Sequence, residues 1–236
     1  MRANSAASKL RPLPNTVTPA FASTFVLMIS VFNMLGRFFW SSLSDYWGRK
    51  LTYAVYFCLG IPLYLSIPFW ANRQSIDPSV VWLTGFYAAT MIIFTLYGGG
   101  FATIPAYLAD LFGSRYVGGI HGRLLTAWST AGVIGPWAIT SLREHSLRRA
   151  IGNLAQHIDP ARFAEKFGAP ISRLDALTAA KTVTLPKLME IAPPGIIDPS
   201  ATLYNSTMFV MAGLLSIALV ANALIRPVSA SHHSAE

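Results

Sequence analysis

Residues Ser30–Lys50 read SVFNMLGRFFWSSLSDYWGRK. The stretch begins inside an apolar run, Pro12 to Gly36, that carries no charge. It ends in an abrupt charged turn, Asp45-Tyr46-Trp47-Gly48-Arg49-Lys50. Read as a helix, it sets Ser30, Asn33, Arg37, Ser41 and Ser44 at steps of three or four along one face. Phe32, Leu35, Phe39 and Leu43 lie off that stripe. An apolar helix with one polar face and an arginine partway down sits in lipid only where that face meets protein or water.

Composition carries the same message outward. The chain has 236 residues, 53% hydrophobic and 12% charged, and a mean hydropathy of +0.46. Soluble domains carry about 25% charged residues, so an all-α membrane protein is expected. The net charge of +8 does not mark a nucleic-acid binder, because its cations are scattered over loops without a basic helix or an aromatic-basic patch. Cys58 is the single cysteine, which excludes an intrachain disulfide, and no metal-ligand spacing is present.

Five apolar segments follow a polar N-terminal tail (1–18): Pro19 to Ser44, Leu51 to Trp70, Val80 to Ala109, Tyr116 to Ser141 and Leu203 to Ile225. Each reaches or exceeds the roughly 20 residues that cross a bilayer as a helix. Tyr46, Trp47, Trp70, Trp82 and Tyr204 lie near segment ends, where aromatic belts form. The expected organisation is four transmembrane helices in 19–141, a polar insertion at 142–202, a last transmembrane helix at 203–226 and a cytoplasmic tail at 227–236. With the Asp45–Lys50 turn inside, Arg49, Lys50, Arg115, Arg123 and Arg226 are all cytoplasmic, as the positive-inside rule asks. The tail cations Arg2, Lys9 and Arg11 count the other way.

The insertion holds half of the chain's charged residues and is too polar to enter lipid. It reads as an extracytoplasmic loop or small cap. Pro160 to Phe167 and Ser172 to Thr182 are its candidate surface helices, and Pro193-Pro194-Gly195 is a breaker.

The turn Asp45-x-x-Gly48-Arg49-Lys50 resembles the cytoplasmic loop motif of the major facilitator superfamily, G-x-x-x-D-x-x-G-R-K, with Ser41 in place of the first glycine. Residues 97–135, YGGGFATIPAYLADLFGSRYVGGIHGRLLTAWSTAGVIG, extend the likeness to the oxalate:formate antiporter branch, and it returns at 203–228. The resemblance implies a partial C-terminal helical bundle, helices 8 to 12 of a twelve-helix carrier. Such carriers rock two lobes about a midplane site, so the chain is not expected to transport alone: it is a truncated or split product, a fragment, or the partner of a separately encoded N-terminal half. The other expected partners are the lipid bilayer and a small carboxylate anion. The expected location is the plasma (inner) membrane, as a multi-pass protein.

Arg37 is the leading substrate-binding candidate, with Asn33 and Trp128 beside it. It lies eight residues before Asp45, about 12 Å along a helix at 1.5 Å per residue, and so inside the bilayer. An arginine there costs about 2.5–3.5 kcal/mol on insertion scales, which a bidentate carboxylate would offset. The alternative is a structural arginine bonded to helix ends or to Asn33. By resemblance, the oxalate carrier's second cation belongs to the helix that here contains TAWSTAG, where Trp128 stands and no lysine does. One cation favours a monocarboxylate over a dianion.

Asp45, Gly48, Arg49 and Lys50 are the expected gating motif, by resemblance, or else a solvated turn that sets topology. Asp110 with Arg115, and Arg123 beyond, read as a second cytoplasmic charge cluster or as positive-inside anchors. Gly98-Gly99-Gly100, Gly118-Gly119 and Gly132-x-x-Gly135-Pro136 are expected at close helix contacts or a kink. His121, near Arg123 at a membrane boundary, is expected to face the surface or bond to backbone, the alternative being a proton relay. No paired carboxylates, nucleophile-base pair or HExxH spacing lies within a span, so no enzyme and no cofactor is expected. The competing class is a non-transporting membrane protein whose insertion binds a partner.

Overall fold

The computed structural model describes residues 19–229, and the two expected polar tails fall wholly or mostly outside that range. Among the described residues there are helices and turns but no strands. The long helices are α1 (Pro19–Trp47), α2 (Arg49–Ile76), α3 (Val80–Phe112), α4 (Val117–Ala155) and α8 (Asn205–Leu224). Three short helices, α5 (Pro160–Phe167), α6 (Leu174–Ala179) and α7 (Leu185–Met189), lie between α4 and α8.

Local chemistry explains the breaks. Gly48 alone separates α1 from α2 and has φ of 84°, a backbone state that glycine adopts without steric cost. Ser79 caps α3, its hydroxyl accepting from Trp82 N. Asp159 caps α5 ahead of Pro160, and Gly168 closes that helix in the left-handed region.

Among the described residues, four helices are long and apolar enough to cross a membrane: Ser23–Trp47, Arg49–Ile76, Val80–Phe112 and Pro199–Leu224. The fourth expected segment, Tyr116 to Ser141, is not among them. Thr126, Ser129, Thr130, Gly132, Gly135 and Pro136 dilute its hydropathy. The helix does not stop at Ser141 either. α4 runs unbroken to Ala155, 39 residues in all, because Arg143, Glu144, Arg148 and Arg149 are good helix formers. Those charges end an apolar stretch without ending a helix. The outward surface is apolar: Val26, Phe38, Val133, Trp137 and Ile217 are each more than 60% exposed. Lipid matches such a surface, whereas water penalises it.

α1 packs along α3, α3 along α2, and α2 along α8, while α4 touches α3 and α8 only lightly. The α1–α3 contact rests on missing side chains. A methyl group at Gly36 would run into the Thr95 backbone, one at Gly98 into the Asn33 carbonyl, and one at Gly99 into the Trp40 side chain. Close backbone approach through small residues is how helices associate where lipid removes the hydrophobic drive. Trp40 Nε1 donates to Thr95 Oγ1 at 3.3 Å across the same seam. The other expected contact glycines, Gly100, Gly118, Gly119, Gly132 and Gly135, have open space where a Cβ would stand.

The polar insertion is a folded cap. Ile151 and Leu154 at the outer end of α4 join Ile158, Phe163, Val183, Leu185, Leu188 and Leu203 in one buried cluster. Phe163 and Leu188 are completely buried, and Lys166 Nζ pairs with Glu190 Oε2 at 2.7 Å on the rim. The cap core thus takes part of α4 on one side of the expected boundary and Leu203 on the other. α5 spans Pro160–Phe167 as the sequence indicates. The second helical stretch is shorter than its expected range, a 3-10 turn at Ile171–Arg173 leading into α6.

Candidate functional site

The charged turn becomes a knot that ties four helices together at one end of the bundle. Arg49 Nη2 donates to Asp45 Oδ1 at 2.5 Å, and Arg49 Nη1 lies 3.5 Å from Asp110 Oδ2. One guanidinium therefore bridges carboxylates of α1 and α3. Asp110 pairs with Arg49, where the sequence pointed to Arg115. Arg115 instead lies 5.5 Å from the Tyr116 ring centroid. Arg123 is exposed and outside every ion pair among the described residues. The reason is lateral packing, which brings the start of α2 against the end of α3. Asp45 and Asp110 are about half exposed or more, so each pair contributes only about 0–1 kcal/mol.

Lys50 takes no part in that ion cluster. Its Nζ donates to Ala223 O at 3.0 Å, in the last turn of α8, and to Ile225 O at 2.6 Å, just past its end. A cation there also meets the negative end of the helix dipole. Asn222 completes the tie: its Nδ2 donates to Lys50 O at 3.1 Å, and its Oδ1 accepts from Tyr107 Oη at 2.8 Å. Val228 N donates to Leu111 O at 3.0 Å. Replacement of Lys50 by methionine should speed amide exchange at residues 221–225 by about two- to fivefold, the effect of a lost helix-end cation, and leave α1 protected. Unchanged exchange there would show that the two carbonyl bonds carry nothing.

Arg37 lies on α1 with its side chain exposed, and among the described residues it makes no hydrogen bond, ion pair or ring contact. Asn33 is half-buried, its carbonyl pressed on Gly98, and does not bond to Arg37. Trp128 stands elsewhere. On α4 it meets Phe101 edge-on, with ring centroids 4.3 Å apart, and Tyr97 at 6.2 Å. The structure therefore keeps Asn33 and Arg37 together on one helix and does not bring Trp128 to them.

Trp128 instead lines a cavity of about 530 Å³ between α2, α3 and α4, closed at one point by Leu215 of α8. Its α2 wall is Tyr53, Tyr56, Phe57, Gly60 and Tyr64. His121, expected at the surface or on backbone, lines it too, and its Nδ1 is buried without a partner. This site escaped the sequence reading. The signal was there as stripes at helical spacing, with Tyr53, Phe57, Gly60 and Tyr64 on α2 and His121, Leu124, Trp128 and Ala131 on α4. An aromatic stripe in an apolar helix is ordinarily packing, so it drew no attention.

Compared with protein-family models, curated proteins and solved structures, the chain has no match.

Proposed function

We propose that this chain is part of a secondary active transporter of the major facilitator type, similar to the oxalate:formate antiporter branch. In this reading it lies in the plasma (inner) membrane as a multi-pass protein. It moves a small organic anion, a monocarboxylate, by alternating access together with a second helical half. The observation that carries the reading is Arg37, an arginine in an apolar span with no partner among the described residues. A cation within an apolar span needs a counter-charge. A carboxylate held at the face where α1 meets the second half supplies one. The Asp45–Arg49–Asp110 bridge supports a gating role, since an exposed ion pair is weak enough to break in a transport cycle.

The test is thermal unfolding of the full chain in nanodiscs against formate, acetate and oxalate. Formate or acetate should raise the melting temperature saturably, and oxalate should do so less. Arg37→Gln should weaken monocarboxylate binding by more than about tenfold, the worth of a hydrogen bond to a charged group, while Arg37→Lys retains part. Equal response of parent and Arg37→Gln would remove the proposal.

A second reading, a membrane protein whose 142–202 cap binds a partner, is favoured by one observation. The cap has its own hydrophobic core. Retained carboxylate binding after the cap is replaced by a short linker would favour the transporter.

A further inference from the structure

The cavity between α2, α3 and α4 lies at bilayer depth. Its α2 wall runs from Tyr53 to Tyr64 and its α3 wall from Ile93 to Ile104. Both helices are long and apolar enough to cross a membrane. Tyr53 is four residues inside the start of α2, and Ile104 is eight residues before the end of α3. At 1.5 Å per residue the walls begin about 6–12 Å from the end that carries the charged knot and run about 17 Å along the axis. That is close to half of a hydrocarbon core about 30 Å thick, the share of one leaflet. α4 touches α3 only lightly, and Leu124, Leu125 and Trp128 on its wall are each at least 40% exposed. The cavity is therefore reached from outside the bundle, where lipid lies.

The wall itself is almost wholly apolar, and no Asp, Glu, Lys or Arg contributes to it. The Tyr53 hydroxyl is spent on Gly100 O at 2.6 Å. Tyr56 Oη and His121 Nδ1 have almost no accessible surface and do not face the space. A charged or polar group placed inside would lose its hydration without compensation. Hydrocarbon suffers no such loss and gains dispersion contacts with the wall. Cations stand at the knot end. Arg123 lies between His121 and Leu124, which both line the cavity, and one turn before Ala127, which does too. Arg115 lies just ahead of α4. Both are exposed and outside every ion pair among the described residues. The nearby Asp110 faces Arg49 at 3.5 Å instead. Basic side chains at a membrane surface attract anionic lipid.

We propose that this cavity holds one acyl chain of an anionic phospholipid, taken from the leaflet on the side of the charged knot, with the headgroup phosphate at Arg123 and Arg115. The chain lies along α3 between α2 and α4 and fills the gap that leaves α4 lightly packed. Apolar wall, leaflet-length span and unpaired cations at one end together fit a phospholipid, and none of the three alone would. The site is independent of the transport reading, because none of its residues belongs to the Arg37 face or to the Asp45–Arg49–Asp110 bridge.

The experiment is native mass spectrometry of the full chain in detergent, titrated with phosphatidylglycerol or, separately, with phosphatidylcholine. The parent should take up one phosphatidylglycerol in a saturable step. Its affinity should exceed that for phosphatidylcholine by about ten- to thirtyfold, the worth of two cations at a membrane surface. Arg115→Gln combined with Arg123→Gln should erase that preference. Gly100 lines the cavity, and a Cβ there meets open space, so Gly100→Leu fills the cavity from α3 and should lose the step for both lipids. Excess inorganic phosphate should not displace the lipid, since the chain is what the cavity holds. Circular dichroism separates lost binding from lost fold, and the double arginine variant changes only exposed side chains, so the headgroup contact is tested even where Gly100→Leu does not fold. A ladder of bound lipids without a step at one means annular lipid only and overturns the proposal. So does a folded Gly100→Leu that keeps the step, a preference that survives loss of both arginines, or displacement by phosphate.

Discussion

Gly98→Ala will part α1 from α3 and cost about 2–3 kcal/mol, the upper range for overpacking. Gly100→Ala, two residues along the same helix, will cost nothing measurable. The added methyl group is the same in both. At residue 98 it lands on the Asn33 backbone carbonyl, which cannot swing aside as a side chain would. At residue 100 it meets open space. The seam cannot yield locally, because Gly36 presses on the Thr95 backbone and Gly99 on Trp40. One added carbon must therefore lever the helices apart and break the Trp40–Thr95 bond. Unfolding in mixed micelles, followed by tryptophan emission, measures both variants. Equal stabilities would mean that α1 and α3 do not cross at this seam.

The cap offers the second large effect. Phe163→Ala should cost about 3–5 kcal/mol, as for a fully buried aromatic. Phe163 is completely buried at the centre of the cap core and packs on Phe167 with ring centroids 4.7 Å apart. A unit this small has little stability to spare. Its amides from about residue 158 to residue 191 should lose exchange protection together, and a protease should cut there. The α1–α3 seam shares no buried residue with this core, so its protection should persist. Simultaneous loss in both regions would show that cap and bundle fold as one unit.

Much of the fold was legible because hydropathy and helix-end chemistry are local. Asp159, Pro160 and Gly168 delimit α5, so its ends were read as they stand. Gly48 marks a turn in any reading of Asp45–Lys50, and its positive φ bears that out. What failed was lateral. The partner of Asp110 depends on which helix lies beside α3, and no spacing along one chain reports that. The fourth segment was ended at Ser141 because the charges that follow cannot enter lipid. Backbone hydrogen bonds ignore that distinction, and α4 continues for about four further turns, to Ala155. The cap core was hidden for a similar reason. Its apolar residues are spread from Ile151 to Leu203 and meet only when the chain doubles back. At the site, Asn33 and Arg37 lie four residues apart on α1, as their spacing implied, whereas Trp128 lies on α4 against Phe101. Tyr56 and His121 carry no mark in the sequence, because whether a buried polar atom finds a partner depends on the neighbouring helices.

The length of α4 has a mechanical consequence. Its inner end lines the aromatic cavity and its outer end is built into the cap core, so the helix is a lever with a load at each end. At 1.5 Å per residue it is about 58 Å long, and a swing of about 5° about one end moves the other by about 5 Å. Pro136 withholds a backbone donor near its middle, yet the helix continues through it without a break. A spin label on the cap is therefore an amplified reporter of events at the cavity, and an antibody fragment clamped to the cap is a brake on them.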